Sequence, residues 1–374
     1  MRLVCVATCA ALLIATGALA HAADQKQILI DNANDLESVL YCGNAKIRTF
    51  VAGDKFRTGL SGRVVFDSRG NGYVAAGTFV AIVTPKGRAD VLTGHTDLRG
   101  NTDGPPGRAS FGDALDIALV NDNLMYVVDG ANFTLRRLER KDGKWWTTTV
   151  AGVPGKKGNR DGRGSDALFT SVFDSVVVGD DGVLYLFSGS WLRKYEDGVV
   201  TTLNPDGGNG YRNGPLRSAR FYHSQGAARG LAYDGKGNLY VADKANIAIR
   251  KVDLRKGVVT TFAGRGPKDP RDRPRDGAAL YARFHPGGGP NTIVYSPQAD
   301  RFYVRSDDER ATRVIQRGKG GWVVRTLGVR WVHADGTAKV VPIGNRPCGI
   351  DNQGNLYVLG RNSIRVVRKR VTEK

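Results

Sequence analysis

The chain has 374 residues, which is long for one compact core but ordinary for two domains or one repeat architecture. Its 49 glycines, without any long amphipathic helical pattern, argue against a helical bundle and favour an all-β architecture with many turns. Lys and Arg number 55 against 36 Asp and Glu, so the formal net charge is +19. Such an excess indicates an anionic partner, unless the charge serves solubility alone.

The first 22 residues have the pattern of a secretion signal. Arg2 supplies a charged start, residues 10–19 form an apolar run, and a small-x-small cleavage site follows at residues 18–20 or 20–22. The run is short and lies near the start, which favours a cleaved signal over a retained membrane anchor, the alternative. We therefore expect a secreted or periplasmic protein with no transmembrane segment in its mature chain.

Two cysteines remain after the expected cleavage. Cys5 and Cys9 lie in the signal, whereas Cys42 and Cys348 stay in the mature chain. An oxidising compartment permits one disulfide between them. Two unrelated buried thiols are the alternative.

Residues 230–264 predict four short strands separated by turns rich in Gly, Asn and Asp. One such sheet cannot bury both of its faces alone, so copies of it must stack. Copies are present, because the aromatic of this phrase recurs in a similar apolar context at six places. These are Tyr73, Tyr126, Tyr185, Tyr240, Tyr303 and Tyr357.

A long loop recurs between these phrases. It contains Asp-Gly, or Asn213-Gly214 in one copy, and these dipeptides suit turns that need positive φ. Each loop ends in a phenylalanine that we expect to be pinned under the loop as local core. These residues are Phe111, Phe169, Phe221 and Phe284.

The phrases ARF, GNLYVAD, NxxIRK and VVTTFAG, all within residues 219–264, resemble the NHL repeat. The resemblance covers about residues 46–371 and implies a six-bladed β-propeller of four-stranded antiparallel blades. Residues 23–45 would form an N-terminal extension. The third copy departs from the pattern, with Ser188-Gly189-Ser190 where the others keep an Asp or Asn.

In that fold the last blade is one strand short, and residues 46–53 have the character of an outer strand. We expect this N-terminal strand to complete the last blade and close the ring, which removes two exposed sheet edges. A Cys42–Cys348 bridge would lock the same seam and stabilise it by a few kcal/mol.

Alignment on the tyrosines predicts which residues surround the channel mouth on the face that carries the long loops. Asp174, Asn291, Arg229 and Arg346 could bind a small anion or a carboxylate there, or could pair with one another. The remaining two positions are Gly62 and Leu115.

The same face collects positive charge. The loop from Arg265 to Arg283 is rich in arginine, including Arg271, and the two loops before it carry further Lys and Arg. A cationic rim suits an anionic glycan, a phosphorylated ligand or an acidic protein surface. Some NHL proteins bind RNA there, but the predicted export and the few stacking aromatics disfavour nucleic acid. A solvated loop whose charges partly cancel is the alternative.

Catalytic chemistry has weaker support. His223 and His285 could lean toward the channel mouth as zinc ligands, but no HxxxH or HxE spacing accompanies them. Asp116 and Asp174 are candidate calcium ligands, although two acids do not make a six-oxygen site. Asn132 begins a glycosylation sequon on the second-to-third strand loop of its blade.

The sequence therefore predicts a secreted, monomeric binding module without a cofactor, whose basic face takes a protein or an anionic glycan or ligand. The alternative is a metal-dependent channel enzyme of the lactonase, strictosidine-synthase-like or amidating-lyase type. An enzyme needs several acids or histidines that meet in the channel, whereas a binding module needs only a continuous charged surface.

Overall fold

The tyrosine phrases fold as the second strands of six antiparallel sheets in a computed structural model. The structure describes residues 27–31, 39–40, 49–52, 63–171, 173–222, 230–266, 274–285, 289–306, 311–332, 338–342, 346–359 and 363–367. Within these ranges the regular elements are β-strands and a few single 3-10 turns.

Each sheet is one blade, and its strands follow one another in chain order. Blade 1 consists of β4 (Val64–Phe66), β5 (Gly72–Ala75), β6 (Phe79–Val83) and β7 (Ala89–Gly94). Blade 2 consists of β8 (Ala114–Asn121), β9 (Leu124–Asp129), β10 (Thr134–Lys141) and β11 (Lys144–Ala151). Blade 3 consists of β13 (Phe173–Val178), β14 (Leu184–Ser188), β15 (Trp191–Glu196) and β16 (Val199–Thr202).

The second half of the chain repeats this order. Blade 4 consists of β18 (Leu231–Tyr233), β19 (Asn238–Asp243), β20 (Ala248–Asp253) and β21 (Val258–Ala263). Blade 5 consists of β23 (Pro290–Ser296), β24 (Arg301–Ser306), β25 (Ala311–Gly318) and β26 (Gly321–Val332). Blade 6 consists of β28 (Arg346–Ile350), β29 (Leu356–Leu359), β30 (Ser363–Val367) and β3 (Thr49–Ala52).

The first strands of neighbouring blades contact one another around a closed circle, and β28 of blade 6 contacts β4 of blade 1. The predicted all-β propeller with antiparallel blades is therefore confirmed, and the six sheets are compatible with the predicted six blades. Three blades carry a short fifth strand that the sequence did not predict. These strands are β12 (Gly162–Arg163), β17 (Gly214–Pro215) and β22 (Gly277–Ala278), on the outer edges of blades 3, 4 and 5.

An N-terminal strand closes the ring, as the sequence predicted. β3 pairs antiparallel with β30, with Thr49 opposite Arg365 and Ala52 opposite Ser363. Further upstream, β1 (Gln27–Asp31) pairs with β2 (Val39–Leu40) and with the far half of β26, which also pairs with β27 (Ala338–Pro342). Part of the N-terminal extension therefore adds strands beside blade 5.

Local hydrogen bonds explain why the Gly-Asn-x-Tyr phrase recurs. In blade 4 the carboxylate of Asp234 accepts from the backbone amides of Lys236 and Asn238 and from Asn238 Nδ2. The hydroxyl of Tyr240 donates to the same carboxylate, at 3.4 Å. Gly235 and Gly237 turn the chain with φ of +69° and +85°, a region that side chains disfavour. Asp67 and Asp351 hold the corresponding turns of blades 1 and 6 in the same way.

The core lies between the blades, where the faces of adjacent sheets meet. Tyr240 of blade 4, for example, packs against Phe302 of blade 5, with ring centroids 4.3 Å apart. The four loop phenylalanines are fully buried, which confirms their predicted role as local core.

Antiparallel order gives the propeller two different ends. Connections from the outer strand of one blade to the first strand of the next lie on one end, which we call the loop face. Turns from the first to the second strand and from the third to the fourth lie on the other end, which we call the turn face.

Candidate functional site

The long loops of the loop face are held by an acid at their Asp-Gly turn. In the loop before blade 3, Asp161 accepts from the backbone amide and from the hydroxyl of Thr202, both at 2.8 Å. Its Oδ1 also accepts from Arg193 Nη2 at 2.7 Å. Arg193 is fully buried, and its guanidinium carbon lies 5.1 Å from the centre of the Phe169 ring. The loop therefore folds back onto the outer strand of its own blade.

The same arrangement recurs in three other blades. A buried arginine on the third strand lies over the loop phenylalanine and contacts the turn residue of the loop, which also bonds a threonine of the outer strand. The sets are Asp103, Arg136, Phe111 and Thr149; Asn213, Arg250, Phe221 and Thr261; and Asp276, Arg313, Phe284 and Thr326.

These buried arginines were not predicted from the sequence, although a signal was present. They occupy equivalent positions of the third strands, and the phrase NxxIRK contains Arg250. The missing information was their orientation, because an exposed and a buried arginine look alike in a sequence.

These contacts change the charge that the loops present to solvent. Asp161 is partly exposed, but its carboxylate is paired with the buried Arg193. Lys156, Lys157, Arg160 and Arg163 of the same loop are exposed. Asp166 is exposed as well, so this loop keeps a clear excess of outward positive charge. On this loop Asp161 offsets the charge of the buried Arg193 rather than the charge of the four exposed basic residues.

The next two loops extend the basic surface. Arg212, Arg265 and Arg275 are exposed, and Arg217 pairs with Asp206 at 2.7 Å. Three tyrosines are also exposed around these loops: Tyr211 (37%), Tyr222 (45%) and Tyr281 (70%). Arg265 and its neighbour Gly266 follow β21, and Gly266 lies against the ring of Tyr211.

The structure places three predicted channel-mouth residues at equivalent positions. Leu115, Asp174 and Asn291 are each skipped in the pairing of the first strand with the second, so each sits at a bulge. Asp174 is 8% exposed and Asn291 is 1% exposed. Each accepts a hydrogen bond from the hydroxyl that follows it in the chain, from Ser175 at 3.4 Å and from Thr292 at 3.2 Å.

For the two arginines predicted beside them, the structure describes only the backbone of Arg346. The backbone of Arg346 begins β28, whereas Gly62 and Arg229 lie outside the described residues, as does Arg271 of the basic loop. Their roles in binding an anion stay predictions.

A different arginine crosses the channel. Arg63, which immediately precedes β4, donates from Nε to Asp116 Oδ1 at 3.2 Å and from Nη2 to the carbonyl oxygen of Leu231 at 2.6 Å. The second oxygen of Asp116 accepts from the backbone amide of Val176 at 3.0 Å. The Arg63–Asp116 ion pair and its hydrogen bonds to Leu231 and Val176 thus connect the first strands of blades 1 to 4. Asp116 is committed to this network rather than placed as one of a pair of calcium ligands.

The metal candidates receive no support from the part of the chain that the structure describes, where no three His, Cys, Asp or Glu side chains are grouped as metal ligands. His285 is half-buried after the loop phenylalanine of blade 5, and His223 lies outside the described residues. Among the described residues, no helix has the length and apolarity needed to cross a membrane.

The predicted disulfide and glycan remain untested. Cys348 is 2% exposed in the cluster between blades 6 and 1, and Cys42 lies outside the described residues. Asn132 Nδ2, the atom that would carry a glycan, donates to the carbonyl of Gly100 at 2.7 Å and to Asp129 Oδ2 at 2.8 Å. A glycan there would require both bonds to be lost.

No protein-family model matches the chain. NHL repeat-containing protein 2 of Bos taurus is 25% identical over 287 residues, which cover 68% of this chain and 38% of that protein. The chain thus spans less than two fifths of the length of the NHL repeat-containing proteins that it matches.

Solved propellers share the fold. An auxiliary nutrient binding protein from Bacteroides thetaiotaomicron is 14% identical with a TM-score of 0.52, over 82% of this chain and 69% of that one. The WD40 repeats of RRP9 are 13% identical with a TM-score of 0.51, over 90% of this chain and 98% of that one. At such identities the likeness concerns the fold alone.

Proposed function

We propose that this chain, a member of the NHL-repeat β-propellers, is a binding module whose loop face holds an anionic glycan or an acidic protein surface. The supporting observation is the division of charge in the loop before blade 3. The carboxylate of Asp161 pairs with the buried Arg193 and bonds Thr202, while Lys156, Lys157, Arg160 and Arg163 face solvent.

The neighbouring loops enlarge this basic surface through Arg212, Arg265 and Arg275. A contiguous field of one sign attracts polyanions over a distance of about 8–10 Å at ordinary salt. The channel mouth on the same face, with Asp174, Asn291, Arg229 and Arg346, is proposed as a site for one anionic group of such a ligand. The predicted secretion signal would place this activity outside the cytosol.

The test uses heparin as a sulfated glycan and poly-glutamate as an acidic polypeptide. We expect Lys156→Glu/Lys157→Glu to weaken binding at least about tenfold, because two attractive charges become repulsive. The matched control is Lys86→Glu/Lys319→Glu, which makes the same charge change at exposed turns of the turn face. Calorimetric titration at several salt concentrations measures both the affinity and its electrostatic part.

Heparin binding that the loop-face variant abolishes and the control retains supports the glycan, and the same result with poly-glutamate supports the acidic protein. Equal weakening by both variants would reduce the interaction to net charge and contradict a dedicated face. Absence of binding to either polymer at low salt would also contradict the proposal.

A further inference from the structure

A cavity of about 280 Å³ opens on the turn face, at the end of the channel opposite the basic loops. Five of the residues in its wall occupy one position of the repeat. That position directly follows the first-strand residue that pairs with the phrase tyrosine. Five blades place a large apolar or aromatic side chain there: Phe66, Leu119, Tyr233, Tyr295 and Ile350.

The aromatic walls are held in place from behind. The hydroxyl of Tyr233 donates to Asp180 Oδ2, and the hydroxyl of Tyr295 donates to Asp300 Oδ1 at 2.8 Å. Phe66 packs against Tyr357 with ring centroids 4.5 Å apart. Both tyrosine hydroxyls are bound to carboxylates at the turns, so these two residues contribute mainly ring surface. The rest of the lining is partly polar and includes Gln298, Asp351 and Asn352.

Among the described residues that line the cavity, Arg63 is the one with a positive charge and Asp351 the one with a negative charge. The side chain of Arg63 is only 13% exposed. Its Nε and Nη2 are used by Asp116 and by the carbonyl of Leu231. The remaining nitrogen, Nη1, makes no hydrogen bond to any residue that the structure describes. These fixed contacts orient the guanidinium before a ligand arrives, which lowers the entropic cost of binding.

A cavity of this size lies just below the usual range of small-molecule sites and suits a small ligand. The ring surface of Phe66, Tyr233 and Tyr295 suits a flat cyclic body, and a guanidinium with a free donor suits a carboxylate. We infer that the turn-face cavity binds a small aromatic carboxylate, with its ring between Phe66, Tyr233 and Tyr295 and its carboxylate at Arg63.

Five compounds test this assignment. Phenylacetate and indole-3-acetate carry both an aromatic ring and a carboxylate. Their primary amides lack the charge, and butyrate lacks the ring. We expect the two aromatic carboxylates to bind, measured by calorimetry and by ligand-observed NMR, with the amides and butyrate at least about tenfold weaker, as for loss of one charged hydrogen bond.

Two variants distinguish a loss of ligand binding at the cavity from a loss of overall stability. Arg63→Met/Asp116→Asn removes both charges while leaving an amide oxygen to accept from the Val176 amide, and should remove the preference for carboxylate over amide. Leu119→Trp fills the cavity without changing the ion pair and should weaken carboxylates and amides alike. Circular dichroism and the melting temperature of each variant establish that it is folded.

Lys156→Glu/Lys157→Glu lies on the opposite face and should leave this binding unchanged, so the cavity and the polyanion surface succeed or fail separately. The inference is overturned if none of the aromatic carboxylates binds at millimolar concentration. It is overturned equally if the amides bind as well as the acids, or if Leu119→Trp has no effect on binding.

Discussion

Blades 3 and 4 each bury an arginine at the equivalent position of the third strand, but the carboxylate that neutralises it comes from the loop in blade 3 and from the second strand in blade 4. In blade 4, Arg250 meets Asp243 of the second strand at 2.8 Å, and the loop contributes the neutral Asn213. In blade 3, Arg193 meets Asp161 of the loop at 2.7 Å, and Ser188 occupies the second-strand position of Asp243. Blade 2 has both acids around its arginine, Asp103 at 2.8 Å and Asp129 at 3.2 Å.

The comparison shows that the buried guanidinium of either blade is met by one carboxylate, which can come from the loop or from the sheet. The two sources are not equivalent in their exposure. The side chain of Asp243 is 1% exposed, whereas that of Asp161 is 44% exposed. Water can therefore replace a partner of Asp161 but not one of Asp243.

The largest effect is expected on removing the arginine of blade 4. Arg250→Met leaves Asp243 buried without its ion-pair partner and should lower the free energy of unfolding by about 3–5 kcal/mol. Arg193→Met should cost less, about 1–3 kcal/mol, because Asp161 can be hydrated. Chemical denaturation of the two variants measures the difference. Equal losses would show that the exposure of the acid has no bearing on the cost.

A second pair of variants compares blades 3 and 2 by replacing the loop acid that meets the buried arginine. Asp161→Asn removes the acid that meets Arg193 and should cost about 2 kcal/mol, since a buried guanidinium loses a charged hydrogen bond. Asp103→Asn should cost less than about 1 kcal/mol, because Arg136 keeps Asp129. Each acid makes the same bonds to a threonine of its outer strand, so those losses are matched. A larger loss for Asp103→Asn would contradict the idea that one carboxylate suffices.

The smallest effect concerns acid pH. Partial burial raises the pKa of Asp161, but hydrogen bonds from Thr202 and Arg193 outweigh burial and hold this pKa below its ordinary value. The stability that Asp161 contributes is therefore present above its unfolded pKa and is lost as the pH falls from about 5 toward 2. Because the side chain is almost half exposed, we expect a contribution of about 1 kcal/mol at most.

Melting temperatures between these pH values should fall less steeply for Asp161→Asn than for the natural protein. Asp142→Asn is the control, an exposed turn residue whose φ of +48° Asn also tolerates. Parallel slopes for the natural protein and Asp161→Asn would mean that Asp161 titrates alike in the folded and unfolded states.

The strands were predictable because the interactions that set them are short-range. The turn before Tyr240 depends on Asp234 and Asn238, all within six positions, so it leaves a readable phrase in each similar blade. Ring closure was predictable from counting strands, because a blade with one strand missing leaves an unpaired edge.

The site was less predictable because its contacts join distant blades. Arg63 bonds Asp116, 53 positions away, and the carbonyl of Leu231, 168 positions away. The alignment predicted Gly62, one residue before Arg63, at the channel mouth, but no local pattern distinguishes a side chain that crosses a channel from one in solvent. The loop acids were read as surface charge for the same reason, since Asp161 and Thr202 lie 41 positions apart.

The strand that closes the ring also sets the order of events during synthesis. Thr49 pairs with Arg365, 316 positions further along the chain, and the ribosome needs about 15–60 s to add that length at ordinary rates. Blades 1 to 5 are built from hairpins close in sequence and can form while the chain grows, but blade 6 waits for its last segment. Until then every nascent chain carries open sheet edges, so translation speed and chaperone supply bear on the yield of folded propeller.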